Sequence, residues 1–573
     1  MHCVDNKTRL ISFILASLLS LPLFAQGKKQ APATRFTLPV DTTAVDTSAA
    51  EKPAETQDKK IELPEVLIYG KGTSKRISGK KITISPDNTE LVNPPVLYDP
   101  ISVEEMDRGE RKRLREGRQG REKHLQAHAW GGQFSQLGSG FSWWQDAGEL
   151  DYSTELAFER TGGQYFNSNF DRFSGALELG YSGDRDNRWS VHGQINRLDY
   201  GLYGAAIPEY RRSYGWSELQ VNGSTGFGES GTLEVAAGLL TGSLEDTLPD
   251  SALDMDYSFS LWQISGGLRQ QVGAGELLVS GRVVSDALRK QIGSPEQDIR
   301  WQRWQAAYKT SLMRGKLQLR LGAVLTTLTE DTLSSSMLGP DLRAIFLHGS
   351  RLAVTLWGKR EFSYTTWEER LRDNPYLAGS YRAGGEKFRY QGGLDIEWKL
   401  SDASTLTLRY SQSAIDNYRY FEADSSGRFS LRSADVKFKN IDILFSRSLT
   451  HHLDVEAGIT FLDDAVRLTG VYDPSLDIPY RGEFILPVKL SWKPVTGLEL
   501  NVDYLWIGSR VARLQPAEAI GAWSALNLSA GYRLAEHIVI TLSGRNLLNT
   551  TTALWQGYKT TGVHVRGGLS LQW

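Results

Sequence analysis

The stretch VHVRGGLSLQW (563–573) decides the fold. In an extended chain Val563, Val565, Leu569, Leu571 and Trp573 fall on one face, and His564, Arg566, Ser570 and Gln572 on the other, because successive strand side chains point opposite ways. One face is greasy and the other wet, and the wet face carries charge. The same texture runs backwards through the chain. Leu498, Leu500, Val502, Tyr504 and Trp506 alternate with Glu499, Asn501, Asp503 and Leu505. Leu453, Val455, Ala457, Ile459 and Phe461 alternate with Asp454, Glu456, Gly458 and Thr460. Leu317 to Leu325 and Leu150 to Phe158 repeat the pattern, and it begins near residue 124.

Alternation alone fits a half-buried soluble sheet as well as a membrane barrel. Loop lengths separate the two. Short connections are expected at 182–187, 226–231, 272–275, 314–316, 348–350, 401–404, 449–452, 493–497 and 534–537. Longer ones fall between them at 161–169, 245–256, 330–341, 363–387, 471–483 and 549–562. Short turns at one end and long loops at the other are the outer-membrane pattern. Counting strands from 124–134 to the C-terminus gives about 22, an even number with both ends on the short-turn side. The expected fold class is therefore all-β, a transmembrane antiparallel β-barrel of about 22 strands with a short, mostly unstructured N-terminal periplasmic segment.

Composition agrees. The 573 residues include 56 Gly and 16 Trp, and aromatics reach 10%. Mean hydropathy is −0.35, as expected when only every second wall residue meets lipid. The net charge of −2 comes from 65 basic and 67 acidic residues, which leaves no electrostatic footprint for nucleic acid. Cys3 is the single cysteine, so a mature chain without it has no disulfide framework and no thiolate metal site. Lys7 and Arg9 precede the apolar run Leu10–Ala25, which reads as a cleaved signal peptide for export to the outer membrane. The expected organisation is a signal peptide at 1–25 and a flexible leader at 26–60. A short plug-like piece with a charged linker follows at 61–123, and the barrel occupies 124–573.

The closing residues carry a family resemblance. LSGRNLLNTTTALWQGYKTTGVHVRGGLSLQW (542–573) resembles the last strand pair of TonB-dependent receptors, the active transporters of the outer membrane. Asn546, Leu547, Leu548 and Asn549 hold the turn, and Arg566, Gly567 and Gly568 the last strand. LPEVLIYG (63–70) is similar to the strand that enters that family's plug. Family members carry a folded plug between signal and barrel. Here roughly 60 residues separate Ile61 from the first strand, without the usual plug motifs. The resemblance thus implies a plugless relative, in which engagement of TonB is not implied.

No catalytic constellation is visible: the chain has no HExxH, no GxSxG elbow and no P-loop. No enzyme activity, cofactor or metal is expected. Asp463–Asp464 and Glu368–Glu369 read as solvated loop charges rather than calcium ligands. With the greasy face on lipid, Glu155, Arg320, Arg409, Asp454, Glu456, Glu499, Asp503 and Arg566 face the lumen and set the field a permeant feels. Trp143, Trp144, Trp189, Trp357, Trp506 and Trp555 are read as interface girdle, with sugar stacking as the alternative. The longest loop, Ser363 to Lys387, holds Trp367, Tyr376 and Tyr381 as binding or gating candidates. Leu569, Leu571 and Trp573 resemble the signal read by the barrel-assembly machinery. Expected partners are outer-membrane lipid, that machinery, a solute and a periplasmic protein. Uptake of a solute too large for a general pore is the leading function. A passive porin-like channel and a docking barrel acting through 61–123 are the alternatives.

Overall fold

The computed structural model describes residues 123–573 apart from 184–186, 229, 249–254, 291–296, 332, 379–383 and 469. The signal, leader and plug-like stretches expected before residue 123, and Tyr381, lie outside the described residues.

A closed antiparallel barrel of 22 strands follows sequence order. The first eight are β1 (Lys123–Gly132), β2 (Gln136–Asp146), β3 (Leu150–Thr161), β4 (Phe170–Ser182), β5 (Arg188–Gly201), β6 (Arg211–Phe227), β7 (Gly231–Thr247) and β8 (Met255–Val272). Then come β9 (Gly275–Lys290), β10 (Gln297–Leu312), β11 (Leu317–Glu330), β12 (Leu333–His348), β13 (Leu352–Ser363), β14 (Glu386–Ser401) and β15 (Ser404–Ala423). The rest are β16 (Phe429–Thr450), β17 (Leu453–Arg467), β18 (Phe484–Val495), β19 (Leu498–Ile507), β20 (Trp523–Ala535), β21 (Ile538–Arg545) and β22 (His564–Gln572).

Closure is made by β1 on β22, from Gln126 opposite Gln572 to Gly132 opposite Arg566. Leu125 and Trp573 exchange backbone hydrogen bonds of 2.9 and 2.8 Å at the seam. A closed ladder leaves no strand edge in hydrocarbon, where an unpaired amide costs several kcal/mol. The closing motif has a physical basis. Asn546 and Asn549 adopt positive φ of 46° and 52°, which asparagine tolerates better than most residues. The Asn546 amide then donates to Thr550 O at 2.8 Å and to Thr561 O at 2.7 Å, tying both ends of the last loop.

The alternation read from the sequence sorts the wall. Leu156, Leu321, Leu356, Ile540 and Leu569 are exposed on the outside. The opposite face carries ion pairs such as Arg320–Asp341 at 3.1 Å and Arg303–Glu361 at 3.0 Å. It also holds a polar recess of about 340 Å³ lined by Ser153, Glu155, Arg172, Glu178 and His192.

Four expectations fail. EDTLSSSMLGPD (330–341) is not a long loop, because β12 begins at Leu333. Its serines pair across the ladder: Thr329 Oγ1 donates to Ser334 Oγ at 3.2 Å, and the Thr327 and Ser336 hydroxyls meet at 3.0 Å. Trp144 and Trp357 do not face lipid. Each lies one residue from an outward neighbour, Trp143 beside Tyr152 and the exposed Leu356 respectively, so the pleat turns it inward. Trp555 packs in the loop layer against Phe429 and Tyr480, at ring distances of 5.2 and 4.6 Å. Asp464 and Glu368 are not solvated. Asp464 is buried and takes a hydrogen bond from Arg481 at 2.9 Å, and Glu368 is buried beside Arg372.

Candidate gate at the long-loop end

The connection from β13 to β14 turns into the barrel mouth. Thr366 caps helix α1 (Trp367–Asp373) with a capping box: Glu369 N donates to Thr366 Oγ1 at 3.3 Å, and Thr366 N to Glu369 Oε2 at 2.8 Å. The box satisfies two amide groups that a helix start leaves open. Asn374 ends the helix in extended conformation, as expected of a residue before Pro375.

Tertiary contacts hold so short a helix, since seven residues cannot hold one alone. Trp367 and Leu371 are buried in an apolar layer with Leu202, Leu244, Phe259, Phe429 and Tyr558. Around that layer, charged groups from the wall take hold of the segment. Asp286 on β9 accepts from Trp367 N at 2.8 Å and from Tyr364 Oη at 2.7 Å. Arg370 donates to Glu386 at 3.0 Å, and Gly385 N to Glu330 at 2.9 Å. Arg212 on β6 donates to Pro375 O at 2.7 Å and Leu377 O at 2.8 Å. Its other nitrogens form a bidentate pair with Asp246 on β7 at 2.6 and 2.8 Å. Arg428 reaches Asp246 from the next loop at 3.1 Å. Arg212 and Asp246 are 1% and 2% exposed, so neither charge is tolerable without the other. Leu377 bridges Phe429 as a short parallel strand, with Ala378 N donating to Phe429 O at 2.6 Å and Phe429 N to Tyr376 O at 3.1 Å. Tyr376 stacks on Tyr558 at 3.5 Å between ring centroids.

Burial pushes the Glu368 carboxyl above the ordinary carboxylate range, with Arg372 pulling the other way. Burial also raises the loop hydroxyl of Tyr203 to about 12, and those of Tyr480 and Tyr558 rise as well. The layer under α1 is therefore neutral apart from the paired groups.

The structure brings Trp367 and Tyr376 together in this layer, as buried anchors rather than displayed rings. The strand candidates lie apart from it. Glu155 lines the recess of β3–β5, and Arg320 pairs with Asp341. Asp503 sits opposite Lys489, and Arg409 opposite Asp395 and Asp442. Glu456 also sits opposite Lys489, on β18. Asp454 takes a hydrogen bond from Ser448 at 2.6 Å, and Glu499 lies 3.4 Å from Lys493, both near short turns. Arg566 donates to Ser543 at 2.9 Å near closure. Leu569 and Trp573 are exposed on the lipid side of the seam, on the same strand face as Leu571. Sequence reasoning missed Arg212, Asp246, Asp286 and Arg428. The inward parity of Arg212, Asp246 and Asp286 was readable, that of the loop residue Arg428 was not, and the layer that buries them comes from five separate connections.

No protein-family model and no curated protein sequence matches the chain. Solved structures do match it. The FrpB iron transporter from Neisseria meningitidis (F5-1 variant) superposes with a TM-score of 0.65 at 11% identity, over 81% of this chain and 84% of that one. The copper transporter OprC gives 0.63 at 10%, over 80% and 81%. The ferric-catecholate import receptor Fiu from K12 E. coli gives 0.62 at 12%, over 79% and 82%. The fold is thus that of the TonB-dependent receptor barrels, the class its closing strands resemble.

Proposed function

We propose that this outer-membrane barrel takes up a solute through a gated lumen, with residues 364–378 as the gate on the long-loop side. The carrying observation is the seating of α1. A loop that merely covered the mouth would not need the buried Arg212–Asp246 pair of β6 and β7, the Arg370–Glu386 pair on β14, and carboxylate acceptors for its amides at Asp286 on β9 and Glu330 on β11. Such pairs hold one arrangement well and tolerate partial release badly, which suits a two-position element. The three structural relatives are named for copper, iron and ferric-catecholate transport, so a metal chelate is the first solute class to test. The lumen charges at Glu155, Arg320, Arg409, Asp454, Glu456, Glu499, Asp503 and Arg566 would line its path below the gate. Export by the N-terminal signal, assembly through Leu569, Leu571 and Trp573, and a periplasmic partner for 61–123 belong to the same reading.

Single-channel conductance in planar bilayers tests it. Four proteins are compared: the mature chain, a deletion of 27–122, Asp246→Ala, and the two changes combined. The expected result is a closed mature chain and a large steady conductance only in the combined variant. An open mature chain would move a passive channel ahead. A closed combined variant would leave the docking barrel.

A further inference from the structure

The barrel wall is incomplete at the long-loop end of β12. β12 pairs with β11 from Leu333 to Phe346, but with β13 only from Asp341 onwards. Above that point β13 slips beneath its neighbours through an irregularity between Lys359 and Glu361. Phe362 N donates to Thr326 Oγ1 at 2.9 Å, and Trp301 Nε1 to Phe362 O at 3.1 Å. One edge of Leu333–Gly339 therefore has no partner strand among the described residues. Leu347 N donates to Lys316 O on the β11 side, so odd-numbered residues of β12 spend their backbone groups on β11. Pro340, which has no N–H, accordingly falls on the other set. Ser334, Ser336 and Leu338 then direct N–H and C=O outward along the free edge, two residues apart as in a ladder.

We infer that this edge is a docking site for an extended peptide segment of a partner protein approaching from outside the cell, which would add a strand beside β12. Three observations select that occupant. A membrane strand needs roughly ten residues to cross. β12 has 16 and turns at His348 on the short side, so its first few residues stand clear of lipid. Leu333, Ser334, Ser335 and Ser336 are exposed on both faces, as expected there. Second, the edge reads LSSSMLG (333–339) without one charge. Natural edges are usually blunted by lysine, proline or a bulge, and here only Pro340 closes the inner end. An uncharged edge flanked by Leu333 at 78% and Leu338 at 67% exposure suits an uncharged, alternately apolar strand. Third, a second copy of this chain does not fit. Copies share one orientation in the membrane, and barrel strands tilt by about 35–45°. Two β12 edges related by an axis along the membrane normal would cross steeply and form no ladder.

The test uses the full chain in lipid nanodiscs and a capped, labelled, uncharged peptide, AVLTTLT, copied from Ala323–Thr329, part of the strand β12 already accepts on its other side. Binding is read by fluorescence anisotropy, and edge protection by hydrogen exchange of Leu333–Gly339. Without peptide the alternate amides of this segment should exchange fast, and with peptide they should slow. Ser336→Pro deletes an edge N–H without touching the β11 ladder, and should weaken binding about tenfold or more. Ser336→Thr should bind as the parent does, and a backbone N-methylated peptide should not bind. Retained heat-modifiable migration of each variant shows that the barrel is folded. The proposal is overturned by an edge already protected without peptide, by absence of peptide binding, or by binding that Ser336→Pro leaves unchanged.

Discussion

The β15–β16 hairpin rises past β14 and β17 much as β11–β12 rises past β13. β14 stops pairing with β15 at Asp416, and β17 stops pairing with β16 at Asp435. Beyond those points the first hairpin carries Tyr418, Arg419, Tyr420, Phe421 and Phe429. It is covered: Leu377 pairs with Phe429, Arg419 N donates to Glu386 at 3.1 Å, and Tyr418, Tyr420 and Phe429 are buried. The second carries serines, and its β12 edge is bare among the described residues. Both lack partners near their tips: β14 and β17 are too short to accompany β15 and β16, and β13 is too short to accompany β12, whereas β10 follows β11 to Glu330. Aromatic side chains gave the first hairpin an apolar layer for the gate segment, and Arg428 added a pair with Asp246, the carboxylate that holds the gate-binding Arg212. Hydroxyls gave the second only cross-strand bonds to its own partner. An overhanging barrel strand is thus completed by its own loop only where its inward face can repay the cost of ordering that loop.

The largest expected effect removes the cover from the first hairpin. Asp246→Ala leaves Arg212 and Arg428 buried without their carboxylate, and one-sided loss of such a pair costs about 3–5 kcal/mol. The prediction is fast hydrogen exchange at Ala378 and Phe429, with Ser334–Leu338 unchanged. Equal changes in both hairpins would mean that the two are one cooperative unit, and the contrast would dissolve. The next effect strikes the second hairpin at its anchor. A Cβ on Gly339 would sit 2.0 Å from Arg360 O, a backbone atom, so Gly339→Ala must move β12 or β13. Overpacking of this kind costs about 1–3 kcal/mol. Urea unfolding in lipid should show it, with exchange of Phe429 left as in the parent.

Legibility in the sequence follows the same division. Strand number, closure and lipid face were readable because they rest on a period of two repeated 22 times. The 330–341 stretch was misread because Ser334, Ser335 and Ser336 carry a turn-like composition, while their pairing with Thr327 and Thr329 is a property of register. The gate was readable only as a long loop holding Trp367 and Tyr376. Its direction was not. Burial of Trp367 depends on Leu202 and Tyr558 from two distant connections and on Phe259 of β8, and no local pattern announces such a meeting. Acidity misled for the same reason, since Glu368 and Asp464 look like loop charges until their covers are known.

Acid–base behaviour sharpens the contrast further. Burial holds the Glu368 carboxyl above its ordinary range. A raised acid binds its proton more readily in the seated gate than in the released one, so seating is strongest in acid and weakens as pH rises through the raised value. Arg372 opposes this, while Glu369 and Glu218 add to it. Exchange at Ala378 should therefore quicken from acid towards neutral pH beyond the intrinsic base catalysis seen in the bare β12 segment. Glu368→Gln should remove that excess. A pH profile identical at Ala378 and Ser336 would show that Glu368 does not weigh on the gate.

The smallest effect is the most diagnostic for the bare hairpin. Ser336 is exposed, and its backbone groups on the free edge serve no partner among the described residues. Its hydroxyl contributes one exposed bond to Thr327. Ser336→Lys should therefore change unfolding free energy by no more than about 0.5 kcal/mol, and the lysine stem can lie along the outer surface with its ammonium in water. A larger loss would mean that the edge already stabilises the isolated barrel, through a contact outside the described residues, and the two hairpins would then differ in what covers them rather than in whether they are covered. A silent substitution that also abolishes strand addition would place the edge's role outside the fold, in association alone, because a charge at an edge deters pairing without disturbing the ladder behind it.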